Sequence, residues 1–383
     1  MKKIKVITIF GTRPEAVKMA PLVKELEKRE EIDSKVCVTA QHREMLDQVL
    51  ELFNVKPDFD LNIMKAKQSL TGITTRVIEG LDEVFESEKP DLILVHGDTT
   101  TTFAGALAAF YKQIKVGHVE AGLRTFDKYF PFPEEMNRKL TGSIADFHFA
   151  PTESSKSNLL REAVKEEDIF ITGNTVIDAM NFTVEDNYVF STEILNTIDY
   201  KNKKVIMVTA HRRENWGEGI ENICKALKQI VDNNEDVELV YLVHLNPIVK
   251  DVVYKYLEGT SRVHLLPPLD TKETHNLMNK CFMVMTDSGG LQEEAPHLGK
   301  PVLVLRDVTE RPEAVNSGTV KLVGTDMNEI IENANKLIRN QNEYDKMSKA
   351  VNPYGDGNAS QRIADAILYS FGYKINRPEE FNL

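Results

Sequence analysis

The stretch Lys5-Val6-Ile7-Thr8-Ile9-Phe10-Gly11-Thr12-Arg13-Pro14-Glu15 carries the pattern on which the fold turns. An apolar run ends at a single glycine, and a proline follows where a helix would begin. A strand covered on both faces shows no polar alternation. Proline is favoured in a first helical turn, where its missing N–H costs nothing. The stretch predicts a strand over 5–10, a tight turn, and a helix over 14–29.

The same unit recurs outward along the chain. Strands are expected over 35–39, 91–96, 116–119, 147–150 and 169–172, with helices over 43–53, 70–88, 99–111, 134–145 and 152–161. Regular alternation of this kind implies a parallel sheet with right-handed crossovers. Residues 181–203 are polar and weakly periodic, and are expected to be a linker. Alternation resumes with strands over 204–209, 238–243, 263–266, 282–286, 301–305 and 319–322. The turn Pro353-Tyr354-Gly355-Asp356-Gly357 precedes a last helix over 359–371. The expected division is thus 1–180, linker 181–203, 204–357, and a returning helix and tail over 358–383. A chain of 383 residues is too long for one ordinary core and suits two α/β domains.

Composition narrows the function. With 42% hydrophobic and 28% charged residues the chain has the profile of a globular protein. A net charge of -12 argues against a general nucleic-acid binder. Cys37, Cys224 and Cys281 are few, odd in number and far apart, which fits a reducing, cytoplasmic setting rather than a disulfide framework. The N-terminal apolar run is too short for a signal peptide, and no run is long enough to span a bilayer, so no membrane partner is expected.

In an open α/β sheet, ligands sit beyond the carboxyl ends of the strands. After the first strand come Gly11, Thr12, Arg13 and Glu15, with Lys18 a turn into the helix. An arginine beside a helix N-terminus is the outline of an anion site. Asp98 and Glu120 follow neighbouring strands, and Glu134 opens a helix. Several carboxylates at one site suit proton removal and delivery, because burial and like charge push their pKa values apart. Singly, Asp98 also reads as a helix cap and Glu134 as a first-turn acid.

In the second half His211 ends a strand, either as a core histidine or as a ligand contact. Asp287-Ser288-Gly289-Gly290 is the best phosphate candidate, since two glycines let backbone approach a diphosphate and the helix behind offers free N–H groups. A serine-capped turn would look the same. Glu293 and Glu294 would be poor neighbours for phosphate unless they point away, and one could accept ribose hydroxyls. The first turn holds one glycine only, which counts against a tightly held NAD. No histidines pair at metal-ligand spacing, so no metal is expected. Arg13-Pro14-Glu15-Ala16-Val17 recurs as Arg311-Pro312-Glu313-Ala314-Val315, a remote duplication or two good helix starts.

Longer motifs go further. Gly11-Thr12-Arg13-Pro14-Glu15-Ala16, Gln41-His42-Arg43-Glu44-Met45-Leu46, His96-Gly97-Asp98-Thr99 and His118-Val119-Glu120-Ala121-Gly122-Leu123-Arg124 stand in this order. Pro133-Glu134-Glu135-Met136-Asn137-Arg138, Gly173-Asn174-Thr175, His211-Arg212-Arg213-Glu214, Asp287-Ser288-Gly289-Gly290 and Thr309-Glu310-Arg311-Pro312-Glu313-Ala314 continue it. The set, nearly end to end, resembles the bacterial non-hydrolysing UDP-N-acetylglucosamine 2-epimerases. The resemblance implies the glycosyltransferase-B-type fold, two Rossmann-like domains facing a cleft. It implies reversible conversion of UDP-GlcNAc to UDP-ManNAc through an enzyme-bound glycal, without cofactor, for cell-surface polysaccharide synthesis. Asp98, Glu120 and Glu134 would be the acid/base carboxylates. Arg13, Lys18 and His211 would meet the diphosphate, with Ser288, Gly289, Gly290 and Arg311, and Glu294 the ribose. A second, regulatory UDP-GlcNAc would lie against Gln41, Glu44, Lys67, Glu134, Arg212 and His244, and a homodimer is implied. Thr274 stands where relatives commonly place an aromatic against uracil. The rival functions are a hydrolysing epimerase releasing ManNAc and UDP, a glycosyltransferase of the same fold, and a non-catalytic nucleotide-sugar sensor.

Overall fold

The computed structural model describes residues 2–40, 43–65 and 68–382, with the backbone alone at 43–45. Among the described residues the first sheet holds β1 (Ile4–Phe10), β2 (Ile32–Val38), β3 (Phe59–Asp60), β4 (Leu92–His96), β5 (Lys115–Val119), β6 (Phe147–Ala150) and β7 (Ile169–Ile171). The second holds β8 (Lys204–Thr209), β9 (Val237–Leu242), β10 (Val263–Leu266), β11 (Met283–Thr286), β12 (Val302–Val304) and β13 (Val320–Leu322). The expected strands are there, within a few residues at their ends. β3 was not foreseen, because two residues carry no period.

The first sheet runs β3-β2-β1-β4-β5-β6-β7 and the second β10-β9-β8-β11-β12-β13. All pairings are parallel. Each sheet winds outward from its first strand, then returns to that strand's other side. The order therefore reverses between β1 and β4, and between β8 and β11. Loops leaving such a pair diverge and open a crevice at the carboxyl edge. The loops with Arg13 and Asp98 flank the first crevice; those with His211 and Ser288 flank the second.

The chain divides into two compact units, Met1–Phe182 with Tyr354–Leu383, and Thr183–Pro353. In the first, the helix Arg13–Glu27 buries Ala16, Met19, Ala20, Leu22, Val23 and Leu26. The helix Ala359–Ser370 joins the same core with Ile363, Ala364, Ile367 and Leu368. Asp178 caps that last helix, accepting the backbone N–H of Ala359 at 3.1 Å and of Ser360 at 2.7 Å. Asp178→Ala strands both donors and is expected to cost about 1–3 kcal/mol of stability. A urea midpoint equal to the parent's would show that the cap contributes nothing.

Two boundaries differ from expectation. Residues 183–203 are not a free linker but belong to the second unit. The Thr183 hydroxyl meets His275 Nδ1 at 2.6 Å, Thr192 N–H and Oγ–H donate to Glu273 at 2.9 and 2.8 Å, and Phe190 and Leu195 are buried. Their polar residues, which look like linker in sequence, are spent on the helix Thr271–Lys280. Tyr354–Gly357 belongs to the first unit, where the Tyr354 carbonyl accepts Asn174 N–H at 2.7 Å. The repeated Arg-Pro-Glu-Ala-Val is no duplicated loop: one copy follows β1, the other β12, and the strand matching β1 in winding order is β8.

Candidate active site

At the edge of the first sheet, Thr99 caps the helix Thr100–Tyr111, its hydroxyl accepting Thr102 N–H at 3.1 Å. Asp98 is thereby spared that role. Its carboxylate contacts the Arg138 guanidinium, and its carbonyl accepts Asn137 Nδ2–H at 2.8 Å. Both partners lie on the helix Glu134–Ile144, so Asp98 and Glu134 are tied to one element. Glu134 Oε2 is buried and has no hydrogen-bond partner among the described residues. It is an acceptor waiting for a donor, which a first-turn acid facing only the helix dipole would not be.

Glu120 follows β5 with φ of +61°, a left-handed conformation that costs a non-glycine residue about 1 kcal/mol or more. Three groups surround its carboxylate. Lys18 pairs with it, Asn174 Nδ2–H donates at 2.7 Å, and His96 Nε2 stands 3.7 Å away. Burial pushes His96 down to about 4, so it is a neutral neighbour near pH 7. The Arg13 guanidinium, on the first helical residue after β1, has no partner among the described residues. It is an uncommitted cation at a helix N-terminus, the arrangement that draws anions.

Glu15 holds this edge together, and no sequence signal beyond the motif itself assigned it a role. Fully buried, it accepts N–H from Gly11 at 3.1 Å and Thr12 at 2.8 Å, and hydroxyls from Thr12 and Thr99 at 2.7 Å each. Burial pushes its pKa up, against the pull of those bonds. One side chain thus locks the Arg13 loop to the Asp98 loop. Thr12 and Glu15 form a capping box at the start of the helix, and Glu15 reaches Thr99 as well.

At the edge of the second sheet, Ser288 stands at the N-cap of the helix Gly289–His297, yet its hydroxyl makes no capping bond. It stays available. A Cβ on Gly289 would lie 2.6 Å from Glu310 Oε1, and the Arg311 guanidinium carbon is 4.0 Å from that point. A side chain here would have to push the Glu310 carboxylate aside, and Arg311 sits beside the turn. Arg311 contacts buried Glu293, while Glu294 faces His275 Nε2 at 3.4 Å and lies near Gly290. Both acids are thus occupied rather than aimed at a phosphate. Arg306 joins Glu214 at 2.6 Å and Glu310 at 2.7 Å. Burial would raise Glu310, but Arg311 and Arg306 win and hold it below its usual value.

The His211 ring stacks on His244, centroids 5.2 Å apart and planes 10° from parallel. Arg212 reaches Glu310 at 3.6 Å. Gln41, Lys67 and the Glu44 side chain lie outside the described residues. The Thr274 hydroxyl turns back to the Asp270 carbonyl at 2.7 Å and offers no ring to a base.

A family model described as UDP-N-acetylglucosamine 2-epimerase matches residues 24–368. The chain belongs to the UDP-N-acetylglucosamine 2-epimerase family. The UDP-N-acetylglucosamine 2-epimerase of Bacillus subtilis (strain 168) is 59% identical over 381 residues, covering 100% of this chain and 99% of that one. The crystal structure of the Neisseria meningitidis epimerase bound to UDP-GlcNAc is 53% identical with a TM-score of 0.87, covering 96% and 100%. The Methanocaldococcus jannaschii epimerase in complex with UDP-GlcNAc and UDP is 34% identical with a TM-score of 0.77, also covering 96% and 100%. The two parallel-sheet α/β domains expected from sequence are the fold of these epimerases. Among the described residues no helix is long and apolar enough to cross a membrane.

Proposed function

We propose that the chain interconverts UDP-GlcNAc and UDP-ManNAc without hydrolysis and without a cofactor. Family membership carries the epimerase activity. The observation that carries the chemistry is the contact of Glu120 with Lys18, one strand away from Asp98, at the edge of the first sheet. A carboxylate takes the C2 proton. The electron pair of that bond becomes the C1–C2 double bond, and the C1–oxygen bond breaks with its pair leaving on UDP. A second group then delivers a proton to C2 on the opposite face while a UDP oxygen re-forms the bond to C1, and the first carboxylate gives its proton up to solvent. Nothing is oxidised and no water is consumed.

Two faces of C2 need more than one proton-transfer group, which Asp98, Glu120 and Glu134 supply. A departing diphosphate needs fixed cations. Arg13 and Lys18 at the first edge, and His211 and Arg311 at the second, fill that need, with Ser288, Gly289 and Gly290 giving hydroxyl and backbone contacts. Glu294 accepts from the ribose. A regulatory UDP-GlcNAc would meet Gln41, Glu44, Lys67, Glu134, Arg212 and His244, and would show as a lag from the UDP-ManNAc side that traces of UDP-GlcNAc abolish. A cytoplasmic homodimer feeding cell-surface polysaccharide synthesis completes the proposal.

Incubation with UDP-GlcNAc in D₂O tests the chemistry directly. Expected are deuterium at C2 of both sugars, a mixture of the two epimers, and no accumulation of free UDP. Stoichiometric UDP and free ManNAc would select the hydrolysing route instead. Absence of exchange at C2 would end the proposal.

A further inference from the structure

We propose that Asp287 is a positioning residue for His211, receiving the imidazole Nδ1–H on its free carboxylate oxygen and leaving Nε2 to the diphosphate. This rests on the proposal that His211 meets the departing UDP.

Asp287 follows β11 at the reversal of the second sheet and is 0% exposed. Its two oxygens are treated unequally. Oδ2 accepts the backbone N–H of His211 and of Arg212, both at 2.8 Å, and Asn215 Nδ2–H at 3.1 Å. Oδ1 is buried with no hydrogen-bond partner among the described residues. His211 Nδ1 stands 3.4 Å from it. A carboxylate oxygen left unsatisfied in the interior is costly, and native interiors rarely keep one. A small turn of the ring supplies the missing donor.

The ring has little freedom to turn elsewhere. Asp287 already grips the His211 backbone, Trp216 Nε1–H donates to the His211 carbonyl at 3.1 Å, and the ring face is covered by His244. A neutral imidazole has one N–H, so a bond at Nδ1 leaves Nε2 as the acceptor, ready to take a proton and then, in the charged ring, to donate Nε2–H to a phosphate oxygen. The charges facing the ring are Asp287, His244 and Arg212. Burial lowers the His211 pKa most, Asp287 raises it, and His244 and Arg212 lower it further. Asp287 is the one group of the three that favours the charged ring, and so the form that stabilises a leaving diphosphate.

Asp287→Asn keeps one oxygen for the three N–H donors and turns its NH₂ toward Nδ1, reversing the bond. In ¹⁵N-labelled full-length protein, His211 of the parent should show the Nδ1–H tautomer. In the variant it should show Nε2–H, with the titration moved down by a unit or more. The variant's kcat should fall on the order of 10²–10⁴-fold, with KM within about threefold because the turn is kept. Asn215→Ala, which removes a donor from Oδ2 and from the Leu305 carbonyl but touches neither Oδ1 nor the ring, should leave the His211 titration where it was. An Nε2–H tautomer in the parent, or an unchanged titration in Asp287→Asn, overturns the proposal. The parent spectrum decides the matter even if the variant does not fold. A parent that fails to epimerise would sink the assigned chemistry, and the tautomer would still decide the pair.

Discussion

Glu120→Gln should lower kcat by roughly 10²–10⁴-fold, the usual worth of a positioned acid or base, while leaving UDP binding within a few-fold of the parent. Gln keeps the volume of Glu and can still accept from Asn174 Nδ2–H, which lies 2.7 Å from the carboxylate. It cannot take a proton, and it removes the charge that pairs with Lys18, whose side chain is only 18% exposed. The left-handed backbone at residue 120 is retained, since both side chains meet the same steric cost there. The asymmetry is the point: the chemistry should suffer and the structure should not. Single-turnover C2 exchange gives the first and calorimetry with UDP gives the second. A kcat within tenfold of the parent would remove Glu120 from the proton path. Equal losses of kcat and UDP affinity would make it a structural residue.

Acid should unfold the first unit well before ordinary carboxylates titrate. His96 ends β4, His118 is the penultimate residue of β5 and His148 the second of β6, and His118 pairs in register with His148. Burial, the largest cause in each, lowers them from 6.5 to about 4, about 3 and about 4. Each folded value lies below the unfolded one, so the folded state binds fewer protons. The stability these rings contribute is full above pH 6.5 and is lost as pH falls toward 4. At pH 5 the loss is about 2 kcal/mol per imidazole. A whole domain has only about 5–15 kcal/mol to lose. Glu15 and Asp178, whose pKa values burial pushes up, act in the opposite sense at the acid end. Urea midpoints should therefore drop between pH 7 and pH 5, and His148→Gln should flatten that drop. Equal midpoints at the two pH values, or an equal drop in the variant, would show that the rings take no part.

Strands and helices were legible because parallel strands are short apolar runs and because Gly, Pro, Ser and Thr mark the turns between them. β1 and β8 announce themselves in this way, and topology then delivers Arg13, Asp98, His211 and Ser288 to the two strand-order reversals. What sequence could not show is who holds whom. Thr99 rather than Asp98 caps its helix, which is a choice between adjacent residues that no pattern distinguishes. Glu15, Asp287, Arg138 and Asn174 bind groups 40 to 84 positions away, and such partners become visible only when the sheet folds. The segment 183–203 was misjudged for the converse reason: polar residues read as solvent-facing, yet their donors and acceptors are satisfied by a neighbouring helix.

The split make-up of the first unit sets an order of events during synthesis. Its sheet is finished at β7, but the helix Ala359–Ser370, which packs against the helix Arg13–Glu27, is made only after Thr183–Pro353 has been translated. At roughly 5–20 residues per second, a stretch of that length takes on the order of ten seconds or more. Through that interval the inserted second unit holds all of its own strands and can close, while the first presents an uncovered apolar groove to whatever is nearby. The nascent chain is thus most vulnerable to aggregation at its oldest part, and a chaperone that serves it would be expected to bind the outer face of the helix Arg13–Glu27 until Ile363 and Ile367 arrive to displace it.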